Sequence, residues 1–107
     1  MTLPATANSA ATAEQLRATI SAQLPSIDSP NKESWWLLGT TGCHLCDVAE
    51  QLLNDFQKVY LIDYIKVDIA DFDEELIMQF ATQIPVILTK NSRLDFPFSV
   101  LDLQWLL

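Results

Sequence analysis

The stretch WWLLGTTGCHLCDVAEQLLNDF, residues 35–56, decides the fold of this chain. The apolar run from Trp35 to Leu38 ends at Gly39 and is typical of a strand that is buried on both faces. From Cys46 to Phe56, apolar residues return on one side and acidic or amide residues on the other, which indicates an amphipathic helix. The chain has two cysteines, Cys43 and Cys46, and both lie where this helix begins.

The residues that follow predict a strand, a helix, a hairpin and a final short helix. The first of these elements are a strand over Tyr64 to Ile69 and a helix that Asp71 or Asp73 caps; the buried stripe of this helix would be Leu76, Ile77, Phe80 and Ala81. Strands over Pro85 to Leu88 and Leu94 to Phe98 form the hairpin. The last helix begins with a capping box of Ser99 and Asp102. The order is β-α-β-α-β-β-α. Because the first crossover joins parallel strands and the hairpin antiparallel ones, we expect a mixed four-stranded sheet in a three-layer α/β/α fold.

Residues 1–33 differ in composition from residues 34–107, which form the predicted domain. They are rich in Ala, Thr, Ser and Asn, and no aromatic residue precedes Trp35. Thr12 and Gln15 predict the start of a short helix, whose apolar residues would be Leu16, Ile20 and Leu24. Three apolar residues bury little surface, so we expect an N-terminal extension that is weakly helical, disordered or loosely docked rather than firmly packed.

Composition narrows the class of protein. The chain has 107 residues, half of them hydrophobic, which suffices for one core without stabilising disulfides. Its net charge of -8 repels nucleic-acid phosphate and anionic membrane surfaces, so we expect neither partner. The first 25 residues lack the apolar core of a signal peptide, and no run of about 18 apolar residues predicts a membrane span. We therefore expect a cytoplasmic protein.

The position of the cysteine pair favours thiol chemistry. A cysteine at the start of a helix lies among unpaired backbone N–H groups and at the positive end of the helix dipole, and both stabilise a thiolate. Cys43 has that position, so we expect an accessible sulfur with a pKa below the free value of about 8.5. Cys46 lies one turn further along the same side and is better shielded. We therefore predict dithiol-disulfide exchange in which Cys43 is the nucleophile and Cys46 the resolving thiol.

Two neighbours bear on the reactivity of these thiols. His44, when protonated, would favour the Cys43 thiolate, or it is only an exposed spacer between the cysteines. Asp47 would oppose ionisation of either thiol. The expected partner is a disulfide-containing protein or a low-molecular-weight thiol.

Two other functions stay open. A structural zinc site takes four ligands, and Cys43, His44 and Cys46 are the only Cys and His residues of the chain, so we expect no metal site within one subunit. Two subunits could share a metal ion or an iron-sulfur cluster, although we expect a monomer. The chain could also be a non-catalytic interaction domain.

Four segments together carry a family resemblance: Gly42-Cys43-His44-Leu45-Cys46, Val67-Asp68-Ile69, Ile84-Pro85-Val86 and Leu94-Asp95-Phe96-Pro97-Phe98. Over residues 34–107 the chain resembles the thioredoxin fold in its glutaredoxin branch, in particular small bacterial glutaredoxin-like proteins. The resemblance implies a thioredoxin-like, glutaredoxin-type fold and thiol-disulfide exchange. It also implies a cis peptide bond at Ile84-Pro85 facing Cys43, with the backbone of Ile84 free to pair with substrate. Thr41 and Gly42 would lie beside the site as substrate-binding or tuning residues.

The sequence departs from glutaredoxins where glutathione would bind. Glutaredoxins typically have Pro-Tyr between the cysteines, where this chain has His44-Leu45, and a Gly-Gly pair after the second hairpin strand, where it has no glycine. Lys90 and Arg93 are the only basic residues near that hairpin. No cofactor is required for the exchange, and glutathione, although possible, is in doubt as a ligand.

Overall fold

A four-stranded sheet forms the centre of the computed structural model, which describes residues 12–24 and 34–107. The strands are β1 (Trp35–Gly39), β2 (Tyr64–Asp68), β3 (Val86–Leu88) and β4 (Arg93–Asp95), in the order β2-β1-β3-β4. β1 is parallel to β2 and antiparallel to β3, which in turn is antiparallel to β4. The predicted mixed sheet is confirmed.

The helices cover both faces of this sheet. They are α1 (Ala13–Gln23), α2 (His44–Gln57), α3 (Glu74–Phe80) and α4 (Val100–Trp105), with a short 3-10 helix at Ile69–Asp71. Buried residues of α1 and α3 pack in one cluster with Trp36 and Leu38, and those of α2 and α4 pack in the other with Trp35 and Leu37. Successive side chains of a strand point to opposite faces, so β1 contributes to both clusters. The arrangement is the predicted three-layer fold of the thioredoxin type.

The central strand β1 is buried on both sides, as its apolar run predicts. Trp35 is 6% exposed, Trp36 and Leu37 are 3% exposed, and Leu38 is fully buried. Burial of one such side chain contributes about 1.5–3 kcal/mol relative to leaving it in water. β1 therefore anchors the two helical layers to one another and fixes where the cysteine loop leaves the sheet.

The N-terminal helix differs from the prediction of loose docking. Leu16 is 4% exposed and Ile20 is fully buried, and both pack in the cluster that contains Trp36. The Arg17 guanidinium lies 4.3 Å from the centroid of the Trp36 ring, and its Nη1 donates to the Ser34 carbonyl at 2.8 Å. The apolar stripe is narrow, but contacts distant in sequence complete its burial. The predictions for residues 1–11 and 25–33 lie outside the described residues.

The ends of the elements follow local signals, with small shifts. The capping box of Thr12 and Gln15 begins α1, and that of Ser99 and Asp102 begins α4, as predicted. Asp73 caps α3, and its carboxylate accepts from the Leu76 N–H at 2.9 Å.

α2 begins at His44 with Cys43 as its cap, which confirms the prediction that Cys43 lies at the start of this helix. One predicted boundary is wrong by a few residues. β4 ends at Asp95 rather than Phe98, since Pro97 has no N–H group with which to continue a ladder. Among the residues the structure describes, no helix is long and apolar enough to cross a membrane.

Candidate functional site

Both glycines of the chain lie between β1 and α2: Gly39 ends the strand and Gly42 is in the loop. The structure shows why each of these positions requires a glycine. Gly42 has φ of +83°, a conformation that side chains with a Cβ rarely adopt. Gly39 lies against Cys46: a Cβ on Gly39 would be 2.9 Å from the Cys46 Sγ and 3.2 Å from its Cβ. Gly42 therefore turns the chain into the helix, and Gly39 leaves room for the second cysteine over the end of the strand.

Cys43 is the N-cap of α2 and is disulfide-bonded to Cys46, with 5.2 Å between their Cα atoms. The Cys43 Sγ accepts a hydrogen bond from the Cys46 N–H at 3.1 Å, and the Cys43 carbonyl accepts from the Asp47 N–H at 3.2 Å. One of the unpaired N–H groups at the start of the helix is thus aimed at the first sulfur. The same contact would stabilise a thiolate on Cys43 after reduction.

The two cysteines differ in their access to solvent. Cys46 is buried, with 8% of its surface exposed, whereas Cys43 is only half-buried. His44 and Leu45, between them, are exposed on the first turn of α2. An incoming disulfide can reach Cys43 first, while Cys46 is held behind it. His44 lies next to Cys43 in the chain, and its side chain makes no hydrogen bond or ion pair with another described residue.

Ile84 and Pro85 lie at the same end of the sheet, next to the loop rather than in it. β3 pairs with β1 through Leu38 and Val86, and one further step of this register places Pro85 opposite Gly39. The Ile84-Pro85 and Phe96-Pro97 peptide bonds are cis. The Ile84 N–H donates to the Phe80 carbonyl at 3.0 Å. The prediction that the backbone of Ile84 is free is therefore wrong for its N–H group, because the chain leaving α3 still bonds to the last turn of that helix.

A pocket of about 370 Å³ opens on the other side of the loop, between α2 and the end of β2. Its lining combines apolar residues, loop residues and four charged side chains: Leu37, Gly39, Thr40, Thr41, Gly42, Cys46, Asp47, Glu50, Lys66, Val67 and Asp68. The predicted neighbours Thr41 and Gly42 both contribute to this wall. His44, Ile84 and Pro85 do not. Cys46 thus forms part of the wall of a pocket that is large enough for a small side chain or a small molecule.

The charged residues of this pocket are partly paired. Lys66 Nζ lies 3.2 Å from Glu50 Oε1, and Asp68 accepts from the Ala70 N–H at 2.9 Å. Burial raises the pKa of the Tyr64 phenol above its ordinary value, and the nearby Glu50 carboxylate raises it further.

The candidate ligands for a metal or for glutathione are sparse in the described residues. No group of three or more His, Cys, Asp and Glu side chains is arranged to hold a metal ion within residues 12–24 and 34–107. Of the two basic residues near the hairpin, Arg93 makes two hydrogen bonds to Asp95, at 2.7 and 3.0 Å. Lys90 also has an interaction partner.

Several residues of the site are not predicted from the sequence. Gly39 is predicted only as the end of a strand, although a glycine between a buried strand and a cysteine pair is a signal of close approach. Glu50, Lys66 and Asp68 belong to a predicted helix and a predicted strand, without a pattern that joins them in one site. No local pattern distinguishes a charge that lines a pocket from one that faces solvent, so only the crossover that joins β1 to β2 brings these three together.

The comparisons with known proteins agree with this architecture. The family model of the glutaredoxin-like domain (DUF836) matches residues 35–106. A solved structure described as Northeast Structural Genomics target protein XcR50 from X. campestris is similar, with 29% sequence identity and a TM-score of 0.58. The similarity covers 68% of this chain and 95% of that chain. No curated protein matches. The cysteine pair at disulfide distance, in a domain of this type, fits a redox role.

Proposed function

The chain belongs to the glutaredoxin-like domain family (DUF836), and from that premise we propose that it is a dithiol-disulfide oxidoreductase. Cys43 is the nucleophile and Cys46 is the resolving thiol. The observation that carries the proposal is the position of Cys43 as the N-cap of α2, half-buried and bonded to a buried Cys46. We assign the reaction to the cytoplasm, where a reducing environment would regenerate the dithiol.

The proposed reaction has two thiol-exchange steps. The Cys43 thiolate attacks one sulfur of a substrate disulfide, forms a mixed disulfide and releases the other half as a thiolate that solvent protonates. Cys46 then loses its proton and attacks the Cys43 sulfur, which closes the protein disulfide and releases the second thiol. Two electrons pass from the protein to the substrate. The N–H group that contacts the Cys43 sulfur stabilises this sulfur as the attacking thiolate and again as the leaving thiolate in the reverse direction.

The surroundings of the pair support the order of these steps. The half-buried Cys43 can meet a protein or a small molecule, whereas the buried Cys46 reacts only with what is already attached to Cys43. Pro85, in register with Gly39, is proposed to form the opposite wall of the substrate path. Thr41, Gly42 and His44 are proposed to position or tune the reaction.

A turnover assay with single cysteine variants tests this function. The reduced protein is mixed with bis(2-hydroxyethyl) disulfide and dithiothreitol, and reduction of the disulfide is followed against dithiothreitol alone. We expect Cys43→Ser to lower the rate to that background. Cys46→Ser, reduced and then freed of dithiothreitol, should react once with the disulfide and accumulate a mixed disulfide on Cys43, seen as a mass increase in the intact protein.

The two variants are matched controls, since each removes one sulfur atom from the same cysteine pair. Turnover that survives in Cys43→Ser would contradict the assignment of the nucleophile. A Cys46→Ser protein that gains no mass would contradict the two-step exchange. Wild-type protein that adds nothing to the dithiothreitol rate would contradict the oxidoreductase function as a whole.

A further inference from the structure

The pocket beside the disulfide has a charge balance that bears on the choice of substrate. Its wall carries three carboxylates, those of Asp47, Glu50 and Asp68, against one ammonium group, that of Lys66. The ammonium group already pairs with Glu50 at 3.2 Å. Asp47 has no basic partner among the described residues and is exposed at the mouth of the pocket. At neutral pH the wall is therefore net negative next to the buried cysteine.

The basic residues elsewhere in residues 12–24 and 34–107 do not correct this balance, because none of them lines the pocket. Arg17 is stacked on Trp36, Lys58 pairs with Asp55 at 3.4 Å, and Arg93 is bonded to Asp95. The whole chain, with its net charge of -8, adds to the same negative potential. A ligand that brings carboxylates to the cysteines thus meets repulsion without a compensating cation.

We propose that this pocket selects disulfides that carry a cationic group close to the sulfur atoms, and that it disfavours anionic ones such as glutathione disulfide. The proposal rests on the oxidoreductase function above and names its substrate class. Cys43 is not in the pocket wall but is joined to Cys46, which is. The cation would therefore lie beside Asp47 and Asp68, on the Cys46 side of the pair, while Cys43 attacks the disulfide bond from outside the pocket. About 370 Å³ is enough for one amine-bearing side chain or small molecule. The electron balance is unchanged, because the cation positions the substrate and takes no part in the exchange.

Single-turnover oxidation of the reduced protein by small disulfides of similar size measures this selectivity. The probes are cystamine, with two ammonium groups, bis(2-hydroxyethyl) disulfide, which is neutral, and 3,3′-dithiodipropionate, with two carboxylates. Each rate is divided by the rate of the same disulfide with dithiothreitol, which removes differences in intrinsic reactivity. We expect the normalised rate of cystamine to exceed that of dithiodipropionate roughly tenfold at low salt. Added salt should shrink the ratio.

Two variants of equal charge separate the pocket from the overall charge of the protein. Asp47→Asn removes a carboxylate from the wall, and Asp63→Asn removes an exposed one from the opposite end of β2. We expect the cystamine preference to fall about threefold in Asp47→Asn and to be unchanged in Asp63→Asn. Equal effects of the two variants would overturn the proposal, as would a normalised ratio close to one in the wild type.

The same comparison with peptides identifies the source of the cation. Disulfide-linked peptides with lysines beside the cysteine are set against peptides with glutamates at the same positions. A lysine preference as large as the cystamine preference assigns the pocket to protein disulfides, and a preference confined to cystamine assigns it to small amines. Failure of all these disulfides, and of glutathione disulfide, to oxidise the protein would instead contradict the oxidoreductase function. Oxidation by glutathione disulfide at the normalised rate of cystamine would overturn the selectivity alone.

Discussion

Helices α1 and α2 lie on opposite faces of one sheet and are held there in different ways. α2 has a wide apolar side, with Ala49 and Leu53 fully buried and Phe56 only 2% exposed. α1 buries only Ala13, Leu16 and Ile20 and is also held on the sheet by polar contacts with residues distant in sequence. The difference teaches that a helix with little apolar surface can still be an integral layer when its polar side chains reach the backbone of other elements.

The polar contacts of α1 to other elements lie in the middle and at the end of the helix. In the middle, Arg17 donates to carbonyl groups of Ser34 and Leu88, at 2.8 and 3.4 Å. At the end, the Gln23 amide accepts from the Asp73 N–H at 2.8 Å and donates to the Asp73 carboxylate at 3.0 Å. α1 thereby ties the sheet to the N-terminus of α3. α2 is linked to β2 by side-chain contacts alone: the Tyr64 hydroxyl donates to the Asn54 amide oxygen at 2.6 Å, and Lys66 pairs with Glu50 at 3.2 Å. Its position otherwise depends on packing and on the cysteine loop.

The largest expected effect comes from one buried residue on each face. Ile20→Ala and Leu53→Ala both empty a site that is fully buried, and each should lower the free energy of unfolding by about 2–5 kcal/mol. Urea denaturation followed by tryptophan fluorescence, at one fixed redox state, gives both values. An Ile20→Ala protein as stable as the wild type would show that α1 is a dispensable appendage, and would contradict the claim that α1 is an integral layer like α2.

The next largest effect is expected for the arginine in the middle of α1. Arg17→Leu removes the stacking on Trp36 and leaves two carbonyl groups without this donor, which should cost roughly 2–3 kcal/mol. Arg17→Lys keeps the charge but not the planar fork, so it should recover only part of this stability. The same denaturation experiment measures both variants. Full recovery by lysine would mean that charge alone, and not geometry, holds α1 on the sheet.

A smaller effect is expected at the glycine that supports the cysteines. Gly39→Ala places a Cβ 2.9 Å from the Cys46 sulfur and should destabilise the oxidised protein by roughly 1–3 kcal/mol. The cost should fall when the same substitution is made together with Cys46→Ala, because the sulfur is then absent. A double-mutant cycle of the unfolding free energies measures this coupling. Strictly additive costs would show that the two residues do not meet.

The smallest expected changes in the free energy of unfolding come from two glutamine-aspartate contacts. Gln23→Ala breaks a pair of hydrogen bonds between α1 and α3, and should cost about 1 kcal/mol. Gln51→Ala breaks one exposed bond to Asp55 within α2, at positions i and i+4, and should cost only about 0.2–0.5 kcal/mol. Thermal unfolding of the two variants ranks them. The reverse order would mean that the bond between helices contributes less than the one within a helix.

The sequence predicts the α2 side of the molecule better than the α1 side, for physical reasons. The apolar run of residues 35–38, the apolar stripe of α2 and the capping boxes at Thr12 and Ser99 are local signals, which depend on residues close together in the chain. The burial of Ile20 depends on Trp36 and on α3, which are distant in the chain. The charges of Glu50 and Lys66 meet at the pocket for the same reason. The role of Cys43 follows from its position at the start of a helix, which is also a local signal. The role of Pro85 is implied only by the family resemblance.

The most direct test of the central claim is the pH dependence of alkylation in the reduced protein. Iodoacetamide is added in limiting amount between pH 4 and pH 10, and peptide mass spectrometry reports the modification of Cys43 and Cys46 separately. The account predicts that Cys43 is alkylated first, with an apparent pKa below the free value of about 8.5, while Cys46 reacts slowly. Equal rates at the two cysteines, with a pKa at or above that value, would contradict Cys43 as the nucleophile.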